Sequence, residues 1–184
     1  MLGKIEGSNR GLIAYKLGSM KIEKLQKFIQ HLSPELYSFA YVLIPDDLQA
    51  SQLMIDSVQS FLIQKKILID KMGLSKNKII QNFLDEAKLH LLRIMFELSR
   101  KRYQQLKLSF KDVEQTGGFF SLDFDEKAVL FLKDKALLGL NEIEFITSAS
   151  RATVLSYLYV SRIKIADFMP NNLLQDNVGN QGIS

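Results

Sequence analysis

Apolar residues recur at helical spacing along almost the whole chain, and no segment shows the strict alternation of a half-buried strand. Leu25, Phe28 and Ile29 form one stripe, which His31 and Ser33-Pro34 are expected to end, since an interior proline removes a helical hydrogen bond. Pro34 and Glu35 would then open a second helix with Leu36, Phe39, Ala40 and Leu43 on one face. Pro45-Asp46-Asp47 breaks that pattern, and an aspartate there suits the cap of a third helix over about 48–66, which buries Leu53, Val58, Phe61 and Leu62. After a loop at Gly73-Leu74-Ser75, a long helix over about 77–108 carries Ile80, Phe83, Ala87, Leu91, Ile94 and Leu98. The stretch 110–118 reads as a linker closing on Gly117-Gly118. Beyond it, three shorter helices are expected at about 125–137, 141–147 and 150–166, the last capped by Ser150. A short helix, a tight turn and a longer helix make the spacing of a helix-turn-helix, with Val129, Leu132, Ile143, Ile146, Val154 and Leu158 as its core.

The expected fold is therefore all-α: an N-terminal helical bundle plus a C-terminal helix-turn-helix domain joined by a linker. Residues 1–19 are glycine-rich and contain Lys4-Ile5-Glu6-Gly7, reminiscent of a protease linker, before Gly18-Ser19-Met20. They read as a vector-derived leader, with a floppy native arm as the alternative. The bundle is placed at 20–109, the linker at 110–121 and the helix-turn-helix at 122–168. The Asn-, Gln- and Gly-rich residues 169–184 read as a disordered tail.

Composition narrows the chemistry. Among 184 residues 47% are hydrophobic and 24% charged, enough to build a core and too apolar for disorder throughout. With no cysteine, disulfides and thiolate metal sites are excluded. Only His31 and His90 remain as imidazoles, neither with partners at metal spacing, so both read as surface or boundary residues. Asp46-Asp47 and Asp123, Asp125 and Glu126 read as helix caps and first-turn acids, which the helix dipole favours, rather than as paired catalytic carboxylates. Gly117-Gly118 lacks the Lys-Ser/Thr of a phosphate loop. With no nucleophile–base pair, metal cluster or nucleotide loop, the chain is expected to be a binding protein, with no catalytic residue, metal or cofactor. No run approaches the roughly 18 apolar residues of a membrane span, and a cytoplasmic protein is expected. The net charge of +4 is unevenly spread. Residues 20–103 carry thirteen basic and nine acidic side chains, whereas residues 104–184 carry eight and ten. Only the front half leans toward polyanions.

The stretch Leu122 to Ile165, LDFDEKAVLFLKDKALLGLNEIEFITSASRATVLSYLYVSRIKI, resembles the C-terminal promoter-reading domain of bacterial extracytoplasmic-function-type RNA polymerase sigma factors. That family's pattern is roughly LPxxxRxVxxLRxxxGLSxxEIAxxLGISxxTVxSRLxRARxxL. Leu122, Val129, Leu132, Lys133, Leu138, Glu142-Ile143, Ser150, Thr153-Val154, Ser156, Leu158, Arg162 and Ile165 fall on or near its positions without a gap. Upstream, LYSFAYVLIPDD (Leu36 to Asp47) resembles the family's LYRxAxRLLGDxxDA, and Leu91-Leu92-Arg93-Ile94 resembles part of WLxRIARN. The resemblance covers about 22–168. It implies a sigma-like transcription regulator that binds core RNA polymerase and promoter DNA. The N-terminal domain would hold a polymerase coiled coil and the C-terminal helix-turn-helix would read DNA in the major groove. The residues then expected to contact DNA are Arg93, Arg151, Thr153, Arg162 and Lys164, with the nearby basic cluster Arg100, Lys101 and Arg102, which reads alternatively as a solvated helix end. Leu53 and Asp56 fall in the polymerase-docking segment.

The departures fall on the working residues. Of the family's acidic docking segment only Asp56 keeps a carboxylate among Ala50, Ser51, Gln52, Leu53, Ile55 and Asp56. RIARN becomes Arg93-Ile94-Met95-Phe96-Glu97, with an acid that repels phosphate and Phe96 in place of a cation. In the recognition helix, three basic positions are now Leu155, Tyr157 and Val160, and each lost cation removes about one unit of salt slope. Ser148 replaces the usual turn glycine, and Glu144 stands where a small alanine packs. Leu155, Tyr157, Tyr159 and Val160 would form an exposed apolar surface, a common mark of partner interfaces. The alternative reading is thus a sigma-derived protein–protein interaction module that no longer reads promoters, with a protein partner or self-association through the outer face of the last helix. On that reading Leu155, Tyr157 and Tyr159 are the partner-binding residues.

Overall fold

The computed structural model describes residues 6–74, 78–106 and 118–168, and side chains over 23–70, 81–106 and 118–167. The segment 107–117 and the expected tail beyond Phe168 lie outside the described residues. Every regular element described is helical: α1 (Glu6–Leu43), α2 (Asp47–Gln64), α3 (Lys66–Leu74), α4 (Lys78–Leu106), α5 (Phe124–Leu130), α6 (Leu140–Thr147) and α7 (Arg151–Phe168). A 3₁₀ turn at Gly118–Ser121 precedes α5, and a π-helical turn at Phe131–Lys135 follows it. The all-helical expectation holds.

Two expected helices turn out to be one. α1 runs without a break through Ser33-Pro34, and residues 6–19, set aside above as a leader, lie on the same helix. An interior proline costs about 3 kcal/mol. Pro34 is exposed at the helix surface, while Phe28, Leu32, Leu36, Phe39 and Leu43 are buried in one phase on both sides of it. Burying each such side chain is worth about 1.5–3 kcal/mol, which outweighs the lost bond. The Ser33 hydroxyl donates to the Ile29 carbonyl (2.8 Å) and the Ser38 hydroxyl to the Pro34 carbonyl (2.8 Å).

The break at Pro45 is real. Asp46 has extended backbone, and its Oδ1 accepts the Gln49 N–H at 2.8 Å, capping α2 as expected. Within α2, Ala50, Leu53, Ser57 and Phe61 are buried, but Leu62, expected inside, is exposed. The third expected helix ends close to where its pattern placed it, at Gln64; after Lys65 a further helix, α3, not expected from the sequence, runs through Gly73-Leu74, which were expected to be a loop.

α4 packs against α1, α2 and α3 on one side and α6 on another. That is why Leu92, Met95 and Phe96 are buried in addition to the expected stripe of Ala87, Leu91 and Ile94. A single buried cluster runs through both halves. Phe39 of α1 stacks on Phe131 at 5.2 Å between centroids, and Phe96 of α4 meets Phe124 of α5 at 5.5 Å. α7 packs on α5 and α6 through Val154, Leu158 and Ser161, all buried. No helix among the described residues is long and apolar enough to cross a membrane.

Candidate functional site

α6 and α7 are joined by the turn at 148–150. Ser148 takes the left-handed conformation (φ 56°, ψ 24°) that the sequence pattern reserves for glycine. Ser150 caps α7 as expected, its Oγ accepting the Thr153 N–H at 3.2 Å. The Ser150 and Thr153 hydroxyls are 2.9 Å apart, so Thr153 is engaged in the cap. A second left-handed residue, Leu137 (φ 57°), ends the helical segment before α6. At Gly139 the N–H donates to Glu142 Oε2 at 2.6 Å, closing the first turn of α6.

The cations carried over as DNA contacts are held by carboxylates of the same chain. Arg93 Nε donates to Glu97 at 2.9 Å, and its guanidinium lies 4.9 Å from the Phe145 ring centre. Arg100 pairs with Asp125 across the α4–α5 contact and lies over the Phe96 ring. Arg102 pairs with Asp56. This last pair joins the two lists: the carboxylate expected to dock polymerase binds the guanidinium expected to touch DNA, and also accepts from Gln52 at 2.8 Å. On the helix-turn-helix, Arg151 Nε reaches Glu144 at 2.7 Å and its Nη2 meets the Asn141 side-chain carbonyl. Arg162 reaches Asp134 at 2.8 Å. Lys164 contacts Glu126 at 2.8 Å and Asp123 at 3.4 Å. The hydrogen bond from Lys164 to Glu126 holds the ammonium above its ordinary pKa, against a smaller desolvation effect. Lys101 alone of the eight candidates is exposed with no ion pair or cap among the described residues.

The partner-binding candidates divide. Leu53 is fully buried beneath α2, so its side chain is a core residue and presents nothing to a partner; this corrects the expectation. Tyr157 is half-buried and packs on the core. Leu155 and Tyr159 face solvent, at 48% and 69% exposure. Phe96, read above as a lost cation, is 2% exposed: its position joins α4 to α5.

Sequence reasoning missed three features. Ile163, 42% exposed, extends the Leu155–Tyr159 line by one more helical turn, and its i+4 spacing from Tyr159 was the available signal. Leu155, Leu158, Tyr159, Arg162, Ile163 and Ala166 line a shallow, mostly apolar groove of about 390 Å³. The second feature is Lys127, buried in α5, whose Nζ donates to the Phe120 carbonyl at 3.2 Å and lies 5.7 Å from the Tyr103 ring centre. The third is the setting of His90, read above as a surface or boundary residue and half-buried here: it lies edge-on to Phe145 at 5.1 Å in a polar recess of about 370 Å³ lined also by Gln64, Lys65, Arg93 and Glu97. Burial lowers the His90 pKa, helped by Lys65, against an opposing pull from Glu86. Among the described residues, no three acidic or histidine side chains converge as metal ligands would.

No family model and no curated protein matches this chain.

Proposed function

We propose that this chain is a sigma-derived interaction module of the cytoplasm, in which the face of α7 that would read promoter DNA docks protein instead. The observation that carries the reading is the pairing of Arg93, Arg100, Arg102, Arg151, Arg162 and Lys164 with carboxylates of their own chain. DNA affinity draws on counterion release, and a cation already facing a carboxylate brings that negative charge to the phosphate with it. The exposed line of Leu155, Tyr159 and Ile163 supports the same reading from the apolar side, since partner interfaces favour aromatic anchors with charges kept to the rim.

Titration of labelled duplex DNA with the protein, followed by fluorescence anisotropy between about 50 and 200 mM salt, tests it. Six cations on phosphates would give a slope of log K against log salt of about −5. The expected result is weak binding with a slope near zero. A steep slope, lost on neutralising Arg151 and Arg162, would overturn the reading.

A second reading, a sigma-type regulator bound to core RNA polymerase and promoter DNA, draws support from the tight α6–α7 turn and from exposed Lys101. Co-purification of core polymerase together with the steep salt slope would install it in place of the first.

A further inference from the structure

The outer side of α7 has an internal symmetry that says what can cover it. Ala152, Leu155, Tyr159, Ile163 and Ala166 are all exposed, opposite the buried Val154, Leu158 and Ser161. Their spacings of three, four, four and three residues keep them on one stripe of the helix. The stripe reads the same from either end about Tyr159. Leu155 and Ile163 each lie four residues from it, Ala152 and Ala166 seven, and the two charged residues Arg151 and Asp167 eight. An antiparallel copy of α7 with Tyr159 at the centre would therefore set Leu155 against Ile163, Ala152 against Ala166 and Arg151 against Asp167, twice over. Small alanines at the flanks let two helices approach, and the apolar layers meet in the middle. The ends are complementary in charge. Arg151 uses Nε for Glu144 and Nη2 for Asn141, which leaves Nη1 for a further carboxylate. Asp167 is exposed and has no cation partner among the described residues.

We propose that the occupant of this face is a second copy of the same chain, docked as an antiparallel α7–α7 pair about a two-fold axis at Tyr159. Such an isologous contact uses one patch on both subunits, and self-complementarity is the property it demands. This proposal rests on the reading of α7 as a protein-docking face and names the partner. An interface built on one helix from each copy lies at the small end of the range for specific contacts, so the dimer is sought across a concentration series.

Sedimentation of the full chain across a concentration series reads the mass. The expected result is a monomer–dimer equilibrium, abolished by Tyr159→Asp. Arg151→Asp and Asp167→Arg each place like charges opposite one another at both ends, so each variant alone is monomeric. Mixed together they form a heterodimer, because the first variant then carries acids at positions 151 and 167 and the second carries bases at both. Recovery on mixing supports the antiparallel pair and shows at once that both variants are folded. A wild-type chain that stays monomeric overturns the proposal, as does a dimer that survives both charge reversals or a mixture that fails to recover. Failure here is distinct from failure of the docking reading, which the salt slope of DNA binding decides whatever the mass.

Discussion

Replacing exposed Leu137 by glycine should make the protein more stable, although it removes a large apolar side chain. Leu137 sits at φ 57° and is 81% exposed. The left-handed conformation costs an L-residue about 1–2 kcal/mol, because Cβ crowds the following carbonyl oxygen. Glycine escapes that cost but gives the unfolded chain more freedom, worth roughly 0.5–1 kcal/mol in the other direction. With most of the leucine side chain already in water, little hydrophobic burial is lost. The balance for Leu137→Gly is a gain of about 0.5–1 kcal/mol. For a chain of this size that corresponds to a rise in melting temperature of roughly 1–4 °C. Urea unfolding followed by helical circular dichroism measures it, with the m-value unchanged because the folded state buries the same surface. Leu137→Ala is the control. It keeps Cβ and the strained backbone, and should leave stability within about 0.5 kcal/mol of the parent. Destabilisation by Leu137→Gly, or equal stabilisation by alanine, would refute the argument. The first outcome would mean that leucine packs on something; the second, that its side chain and not its backbone is the burden.

Two other predictions follow from the packing. Asp56→Asn leaves the Arg102 guanidinium, three-quarters buried, without its carboxylate; unfolding experiments should show a loss of about 1–2 kcal/mol, whereas a neutral effect would show the pair to be merely superficial. His90 has a folded-state pKa below its ordinary 6.5, so the unfolded chain binds the proton more readily and protonation favours unfolding. Its contribution is complete above pH 6.5 and is lost as pH falls through that value toward the folded pKa. His90→Gln should therefore lose less stability than the parent between about pH 7.5 and 5.5, read as the shift in urea midpoint.

Much of the fold was legible in the sequence because helical periodicity is a local property. The stripes at Phe39–Leu43, Ala87–Ile94 and Val154–Leu158 are buried as their spacing implied, and Asp46 and Ser150 cap where a short oxygen-bearing side chain precedes an apolar run. Local rules failed at Pro34. There the proline penalty lies within a few residues of its origin, while the burial that outweighs it comes from helices distant in sequence. The surroundings of the candidate site residues were not legible for the same reason. Charge can be counted along the chain, but its availability depends on what folding sets beside it. Arg102 and Asp56 are 46 residues apart, Lys164 and Glu126 are 38, and Arg162 and Asp134 are 28.

What the amino-acid order determined by itself is a set of amphipathic helices, their caps and the short turn before the last one. All of these are decided by interactions spanning a few residues. The tertiary structure alone decided that Phe96 is core, that Arg100, Arg102, Arg151, Arg162 and Lys164 are matched by carboxylates from other elements of their own chain, and that the solvent-facing line of α7 runs through Leu155, Tyr159 and Ile163 while Tyr157 and Val160 are half-buried. Those outcomes depend on which faces the long-range packing buries, and a solvent-facing leucine has the same letter as a buried one.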